Sequence, residues 1–352
     1  MLSPWSPNKE ELLELIGDQP RYRVDQIWRG LYEQGRPPDE LPNLPKKLKS
    51  TLNAKLKPSL AMKAKQENDD TIKWLWQLPD GEQIETVLMH YPKRSTVCVS
   101  SQAGCAMGCG FCATGQAGYD RNLTVGEIVE QLVVARDAAK PRRLSNVVFM
   151  GMGEPFANYP NVMSTIDRLL TDFKLGARHI TVSTIGLVPQ MLLFAEERLQ
   201  VGLAVSLHAA NNDLRSELVP VNKRHPIEEI VAASQLFRDR TGRRVSFEWA
   251  MIDETNDSLI DAAELAAIAK DARAHVNLIP LNPTPGWPTK GSPKHRIDAF
   301  VKHLHDAGVQ ATVRANRGTD IDAACGQLRA SEKAVPVALS VSSDNRRLDQ
   351  PT

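Results

Sequence analysis

The chain has 352 residues, long enough for one large domain and a smaller one, each with its own core. Its 43 Lys and Arg against 42 Asp and Glu leave a formal net charge of +1, which excludes a polycation; any nucleic-acid contact must come from local clustering of charge. No run approaches a membrane span, and five cysteines behind Met1-Leu2-Ser3-Pro4, with no charged-then-apolar leader, do not make a secreted disulfide framework.

From about Asn8 to Leu56, apolar residues recur at helical intervals in Leu12-Leu13-Leu15-Ile16 and Val24-Ile27-Trp28-Leu31, divided by Gly35, Pro37, Pro38 and Pro45. A small helical accessory module is expected over residues 1–70. Lys46, Lys47, Lys49, Lys55, Lys57, Lys63 and Lys65 follow one another with no acidic residue between them; in isolation such a run reads first as a solvated face. Residues 72–78 and 84–89 flank Pro79-Asp80-Gly81, a hairpin signal, and residues 71–92 are expected to bridge the module to the rest.

Beyond it, apolar β-rich runs at 96–100, 146–150, 179–183, 202–206, 245–251 and 276–280 alternate with amphipathic helical stretches at 125–138, 162–171, 188–196, 227–238, 260–272 and 295–307. Six strand-then-helix units imply a parallel sheet. The expected fold class is α/β: a partial (βα)6 barrel over residues 93–330, curved and partly open. The polar stretch after Pro336 has little periodicity, and a flexible tail is expected at 331–352.

The first of these strands leads into Cys105-Ala106-Met107-Gly108-Cys109-Gly110-Phe111-Cys112. A C-x3-C-x2-C spacing can bring three thiolates round one face of a [4Fe–4S] cube; the remaining cysteines, Cys98 and Cys325, lie outside the loop, so one iron is left open to a ligand. Ala106, Gly108 and Gly110 let the backbone wrap closely, and Phe111 can shield the cluster from water. Structural zinc wants four ligands in paired clusters, but His90 precedes the loop and no second C-x2-C follows, so zinc is the lesser reading. Inert burial suits single cysteines better than three together.

In a parallel barrel, ligands sit at the carboxyl ends of the strands. There the chain places Gly151-Met152-Gly153-Glu154-Pro155, then Ser183, then Ser206-Leu207-His208, then Asn282. Glycine allows close backbone approach, Glu154 offers a carboxylate to an ammonium group, and the spacing is not a dinucleotide fingerprint. Singly, each is a turn or cap residue. Their coincidence at one rim with the cysteine loop favours a ligand site. Cys98, in a strand, reads by itself as a small core hydrophobe. Cys325 is flanked by small residues and follows Arg314, Arg317 and Gly318, which suit a loop facing phosphate.

Three segments together resemble the RlmN family of the radical S-adenosylmethionine superfamily. They are Ser100-Ser101-Gln102-Ala103-Gly104 with the cysteine loop, the Gly151–Pro155 stretch, and Arg317-Gly318-Thr319-Asp320-Ile321-Asp322-Ala323-Ala324-Cys325-Gly326-Gln327-Leu328. The resemblance covers nearly the whole chain, through Cys325. It implies a cytoplasmic methyltransferase acting at carbon 2 of an adenine in 23S rRNA and in certain tRNAs, supplied with electrons by an unidentified donor. It implies that Cys105, Cys109 and Cys112 bind the [4Fe–4S] cluster, and that S-adenosylmethionine, two per turnover, fills the open iron site. The cofactor would contact Gly153, Glu154, Ser183, Ser206, Leu207, His208 and Asn282. By the same resemblance Cys325 carries the methyl group, Cys98 resolves the intermediate by forming a disulfide with it, and Glu85 accepts a proton. Ile185 departs from the pattern, since relatives often have a second serine after Ser183-Thr184. In this company the lysine run reads as an RNA contact. The nearest alternative is a Cfr-like enzyme acting at carbon 8 of such an adenine. A different class is a non-catalytic iron–sulfur or zinc RNA-binding module, with Cys98 and Cys325 structural.

Overall fold

Three short helices, α1 (Lys9–Ile16), α2 (Tyr22–Arg29) and α3 (Lys46–Lys55), open the computed structural model, which describes residues 2–282, 284, 290–314, 327 and 328. The tail expected at 331–352 lies outside the described residues. Asn8 and Glu11 start α1 as a capping box, each side chain accepting from the other's backbone N–H. Leu12, Ile27, Leu31, Leu48 and Leu52 pack into a core, and Val129 and Val133 from a later helix complete it.

Next come β1 (Ala61–Glu67), β2 (Thr71–Gln77), β3 (Gln83–Tyr91) and β4 (Arg94–Cys98), each antiparallel to the one before. The short strands β5 (Gln102–Gly104) and β6 (Tyr119–Asn122) pair with each other on either side of α4 (Ala113–Ala117). Alternation then sets in: α5 (Val125–Ala138), β7 (Leu144–Phe149), α6 (Tyr159–Thr171), β8 (Ile180–Thr184), α7 (Val188–Glu196) and β9 (Gly202–Ser206). It continues with α8 (Asn212–Leu218), α9 (Ile227–Thr241), β10 (Ser246–Met251), α10 (Leu259–Ala272), β11 (His275–Pro280), α11 (Lys294–Asp306) and β12 (Ala311–Val313). The main sheet has the order β1-β2-β3-β4-β7-β8-β9-β10-β11-β12 and is parallel from β4 onward. The six expected strand–helix units are thus present, from β4 to α11.

The sheet curls. Arg314, just past β12, donates from Nη1 to Sδ of Met150, just past β7, at 3.8 Å. Five strand spacings of about 4.8 Å would hold those two positions about 24 Å apart in a flat sheet. β1 and β12 are not paired with each other, so the sheet is an open, curved partial barrel. Its outer face is the main core: Trp74, Trp76, Val147, Phe149, Val205 and Phe247 pack under the helices. Among the described residues no helix is long and apolar enough to cross a membrane.

The structure departs from expectation in places with physical causes. The first parallel strand is Arg94–Cys98 rather than 96–100, because Ser100 turns its N–H to Oε1 of Gln131 on α5 (2.9 Å). Helix α6 begins at Tyr159 rather than 162, since Pro160 is tolerated in a first turn, where its missing N–H has no partner to lose. Residues 61–67, expected inside the helical module, form β1 on the edge of the main sheet. The hairpin expected as a bridge is part of that sheet, since β3 pairs with β4 from Val87↔Cys98 to Tyr91↔Arg94.

Candidate active site

Opposed residues in a ladder share a face and residues two apart on a strand share it too, so one row of side chains can be followed round the concave side. It passes from Cys98 to Val148 and on to Met150, then from Thr181 to Ser183, Ala204 and Ser206, and across to Glu248 and Asn277. For a sheet interior this row is unusually polar. At its carboxyl end lies a cavity of about 180 Å³ whose wall includes Ser183, Ser206, Glu248 and Arg314.

The cysteine loop roofs this cavity. The N–H of Cys105 donates to the Gly118 carbonyl (2.6 Å) and that of Cys112 to the Cys109 carbonyl (3.2 Å), folding the loop back on itself. Cys105, Cys109 and Cys112 all line the cavity. Burial pushes the Cys105 thiol up to about 12 and Cys109 well above its ordinary value, and a charge on any one of the three would raise the others further. Such a trio is costly as bare thiolates and suits a cationic group that takes them deprotonated. That donor set fits an iron–sulfur cluster.

Of the expected cofactor contacts, Gly153, Glu154, Ser183, Ser206, His208 and Asn282 line the same cavity. Gly153 has φ +97°, and a Cβ there would come within 2.5 Å of the Gln102 side chain, so only glycine lets the two segments touch. Glu154 is buried; it accepts from the N–H of Ile185 (2.8 Å) at one oxygen and of Phe156 (3.0 Å) at the other, and burial raises it to about 7. A carboxylate has further lone pairs, so it can still accept from a ligand. The Ile185 side chain belongs to an apolar cluster with Cys109 and Phe111. Its backbone, not its side chain, serves Glu154.

His208 is held at φ +62° with its Nδ1 accepting from the Ala250 N–H (3.0 Å), which leaves the proton on Nε2. Burial first, and Arg215 second, lower it to about 3, so it stays neutral. Phe111 meets its ring edge-on at 4.8 Å. Leu207 is fully buried in the main core and takes part through its backbone: its N–H donates to the Glu248 carbonyl (3.0 Å).

Cys98 and Glu85 lie beside this cavity rather than in its wall. Cys98 is opposite Val87 on β3 and Val148 on β7, one step along the row from Met150. Glu85 shares that face, and its Oε1 is 3.4 Å from Nζ of Lys73 on β2. Cys325, Arg317 and Gly318 lie outside the described residues. The described residues nearest them in sequence on the C-terminal side, Gln327 and Leu328, are buried, and the Leu328 carbonyl accepts from Oγ1 of Thr114 (2.6 Å), two positions beyond Cys112.

Sequence reasoning missed three residues. Arg215, fully buried, donates to the carbonyls of Leu207 (3.0 Å), Ile185 (2.6 Å) and Ser206 (3.2 Å) and to Oδ1 of Asn222 (2.8 Å), tying three rim segments together. Gln102 accepts the Glu154 N–H (2.8 Å). Glu248 accepts from Ser246 Oγ (2.8 Å) and Asn277 Nδ2 (2.6 Å), and burial raises its carboxyl. Only Glu248 left a trace in the sequence, as an acid within an apolar strand.

The profile of the Radical SAM superfamily matches residues 99–266. A probable dual-specificity RNA methyltransferase RlmN from Salinispora tropica is 48% identical over 339 residues, spanning 92% of this chain and 91% of that protein. One of the same description from Chloroflexus aurantiacus is 46% identical over 352 residues, spanning 94% and 93%. A solved radical SAM methyltransferase from Sphaerobacter thermophilus superposes with a TM-score of 0.91 at 48% identity, covering 94% of this chain and 99% of that one.

Proposed function

The chain belongs to the RlmN family of radical S-adenosylmethionine RNA methyltransferases, and from that membership we propose that it methylates carbon 2 of an adenine in 23S rRNA and in tRNA. The observation that carries the reading is one cavity lined both by three thiols and by the carboxylate of Glu154, Ser183, Ser206, the neutral His208 and Asn282. Cys105, Cys109 and Cys112 would hold a [4Fe–4S] cluster, which when bound would supply the electron for reductive cleavage of S-adenosylmethionine. Glu154 offers an acceptor to the cofactor's ammonium, and His208 a fixed Nε2–H donor.

Carbon 2 of adenine lies between two ring nitrogens and is electron-poor, so it does not attack a methyl sulfonium. A thiolate does. In this reading Cys325 takes a methyl group from one S-adenosylmethionine, and a second is spent in activating that methyl as a radical. Glu85 accepts the proton lost from the base while the unpaired electron would return to the cluster, and the Cys98 thiolate attacks the sulfur of Cys325, whose bond to the new methyl carbon breaks as that carbon takes a proton, releasing product and leaving a disulfide. Two observations support it: Leu328, three residues past Cys325, is fastened to Thr114 next to the cysteine loop, and Cys98 lies opposite Val148, just before Phe149 and Met150, which line the cavity.

The adenine must leave its stack to be reached, which single-stranded loops allow most cheaply. Lys46, Lys47 and Lys55 on α3, Lys57 just past it and Lys63 on β1 are exposed and can meet phosphates; Lys65, also exposed on β1, is paired with Glu67. Digesting rRNA and tRNA modified by the anaerobically purified enzyme, and weighing the nucleosides, tests the assignment. 2-Methyladenosine is expected; 8-methyladenosine, or no methyl on adenine, overturns it.

A further inference from the structure

Lys73 sits where a chain rarely puts a lysine. It lies in the middle of β2, in the stretch Ile72-Lys73-Trp74-Leu75-Trp76, and its side chain is only 10% exposed. Long ammonium side chains are almost never buried unless paired. Its Nζ is 3.4 Å from Oε1 of Glu85, whose side chain is 5% exposed. Register fixes the rest of the neighbourhood: Val87 lies opposite Lys73 on one side and opposite Cys98 on the other, with Gln66 of β1 beyond Lys73 and Leu75 opposite Glu85. Lys73, Glu85 and Cys98 therefore stand around Val87 on one face, the concave face that leads through Val148 and Met150 to the cavity.

The backbone beneath Glu85 is also held. Its carbonyl accepts from Ser100 Oγ (2.6 Å), and Ser100 is gripped at its N–H and carbonyl by Gln131 of α5 (2.9 and 3.0 Å). A held backbone with the Lys73 ammonium at the carboxylate restricts the direction of the Glu85 side chain. A buried ion pair is poor value as a stabiliser, because desolvating both groups offsets most of their attraction. Its presence beside a cavity calls for another use.

We propose that Lys73 is a positioning residue for methyl transfer: its ammonium holds the Glu85 carboxylate in place on the concave face, ready to take the proton of the RNA base. The inference rests on the reading of Glu85 as proton acceptor. Without the cation the carboxylate would lose the partner that aims it, and the joined RNA–protein species would wait for a base.

The test is a denaturing gel of enzyme incubated with RNA, S-adenosylmethionine and reductant, run with and without nuclease, for Glu85→Gln, Lys73→Met, Lys73→Gln and Lys73→Arg. Lys73→Gln retains a polar side chain of similar reach should Lys73→Met fold poorly. Expected are a loss of turnover of about 10²-fold in the Met and Gln variants, a nuclease-sensitive adduct like that of Glu85→Gln, and recovery in Lys73→Arg. Wild-type turnover in Lys73→Gln overturns the proposal. So does lost turnover without adduct in a folded, iron-loaded variant while Glu85→Gln shows one. If Glu85→Gln itself forms no adduct, the reading of Glu85 fails, and this inference with it.

Discussion

Oγ1 of Thr114 donates to the carbonyl of Leu328 across 2.6 Å, joining the helix that follows the cysteine loop to a segment more than two hundred positions later. Both residues are buried. A buried hydrogen bond of this kind contributes about 1 kcal/mol, or about fivefold in how often the segment is seated. Thr114→Val should therefore lower methylation of the protein about fivefold at unchanged iron content, and Thr114→Ser should restore it. Intact-protein mass after exposure to S-adenosylmethionine reads this. An unchanged methylated fraction in Thr114→Val refutes it.

Cys98 and Cys325 act on opposite sides of the covalent intermediate in the proposed reaction, so their variants should differ although neither turns over. Cys98→Ala should complete addition to the base and accumulate protein tied to RNA, seen as a nuclease-sensitive shift on a denaturing gel. Cys325→Ala should bind the cluster and cleave S-adenosylmethionine but show neither protein methyl nor shift. A folded, cluster-loaded Cys98→Ala with no shift removes Cys98 from the role of resolving thiol.

Glu130, on α5, is the buried acceptor for the N–H groups of Ser59 (2.9 Å) and Leu60 (3.0 Å) and for the Ser3 hydroxyl. Burial raises it from 4.5 to about 7. The folded protein then binds a proton that the unfolded chain has already released between those values, so its contribution to stability falls as pH rises from about 4.5 to about 7 and is flat above. The loss is on the order of 3 kcal/mol. Thermal unfolding across that window should drop less steeply for Glu130→Gln than for wild type. Parallel profiles would show that Glu130 stays ionised in the fold.

Removing the Arg215 guanidinium strands the carbonyls of Leu207, Ile185 and Ser206 in a dry interior, at a cost of about 3 kcal/mol or more. Arg215→Met should lower the denaturant midpoint accordingly and weaken S-adenosylmethionine binding, measured by equilibrium dialysis, because Ser206 and Ile185 no longer share a brace. Arg215→Lys should recover little, since one ammonium cannot replace a planar fork. A variant that binds the cofactor as wild type does would confine Arg215 to stability.

How much of this the sequence disclosed depends on where each signal lives. The parallel units were legible because β-rich apolar runs and helical periodicity alternate cleanly from residue 94 on. β1 was not, since all seven residues of Ala61–Glu67 are exposed and no alternation marks a buried face; β12, at three residues, is too short to leave a pattern. The cysteine spacing pointed to one shared space, and Cys105, Cys109 and Cys112 do line one cavity. Glu85, and the roles given to the two outlying cysteines, entered through family resemblance alone. Arg215 and Gln102 could not be read at all, because what each does is set by carbonyls and amides brought together from separate strands.

Helix α5 has two masters. Val129 and Val133 finish the core of the N-terminal module, while Gln131 on the same helix holds Ser100 and accepts from Thr86 Oγ1 (2.8 Å) in the sheet. Arg168 of α6 adds to the seam by donating to the carbonyls of Ser6 (3.0 Å) and Pro7 (3.1 Å). The module is therefore not an interchangeable part. A chimaera cut near residue 70, meant to graft another protein's substrate preference onto this barrel, would expose two valines and bury a carboxylate without its donors. Any swap that keeps the fold has to carry α5 with it, so the front of the chain and the helix that holds Ser100 form one structural piece.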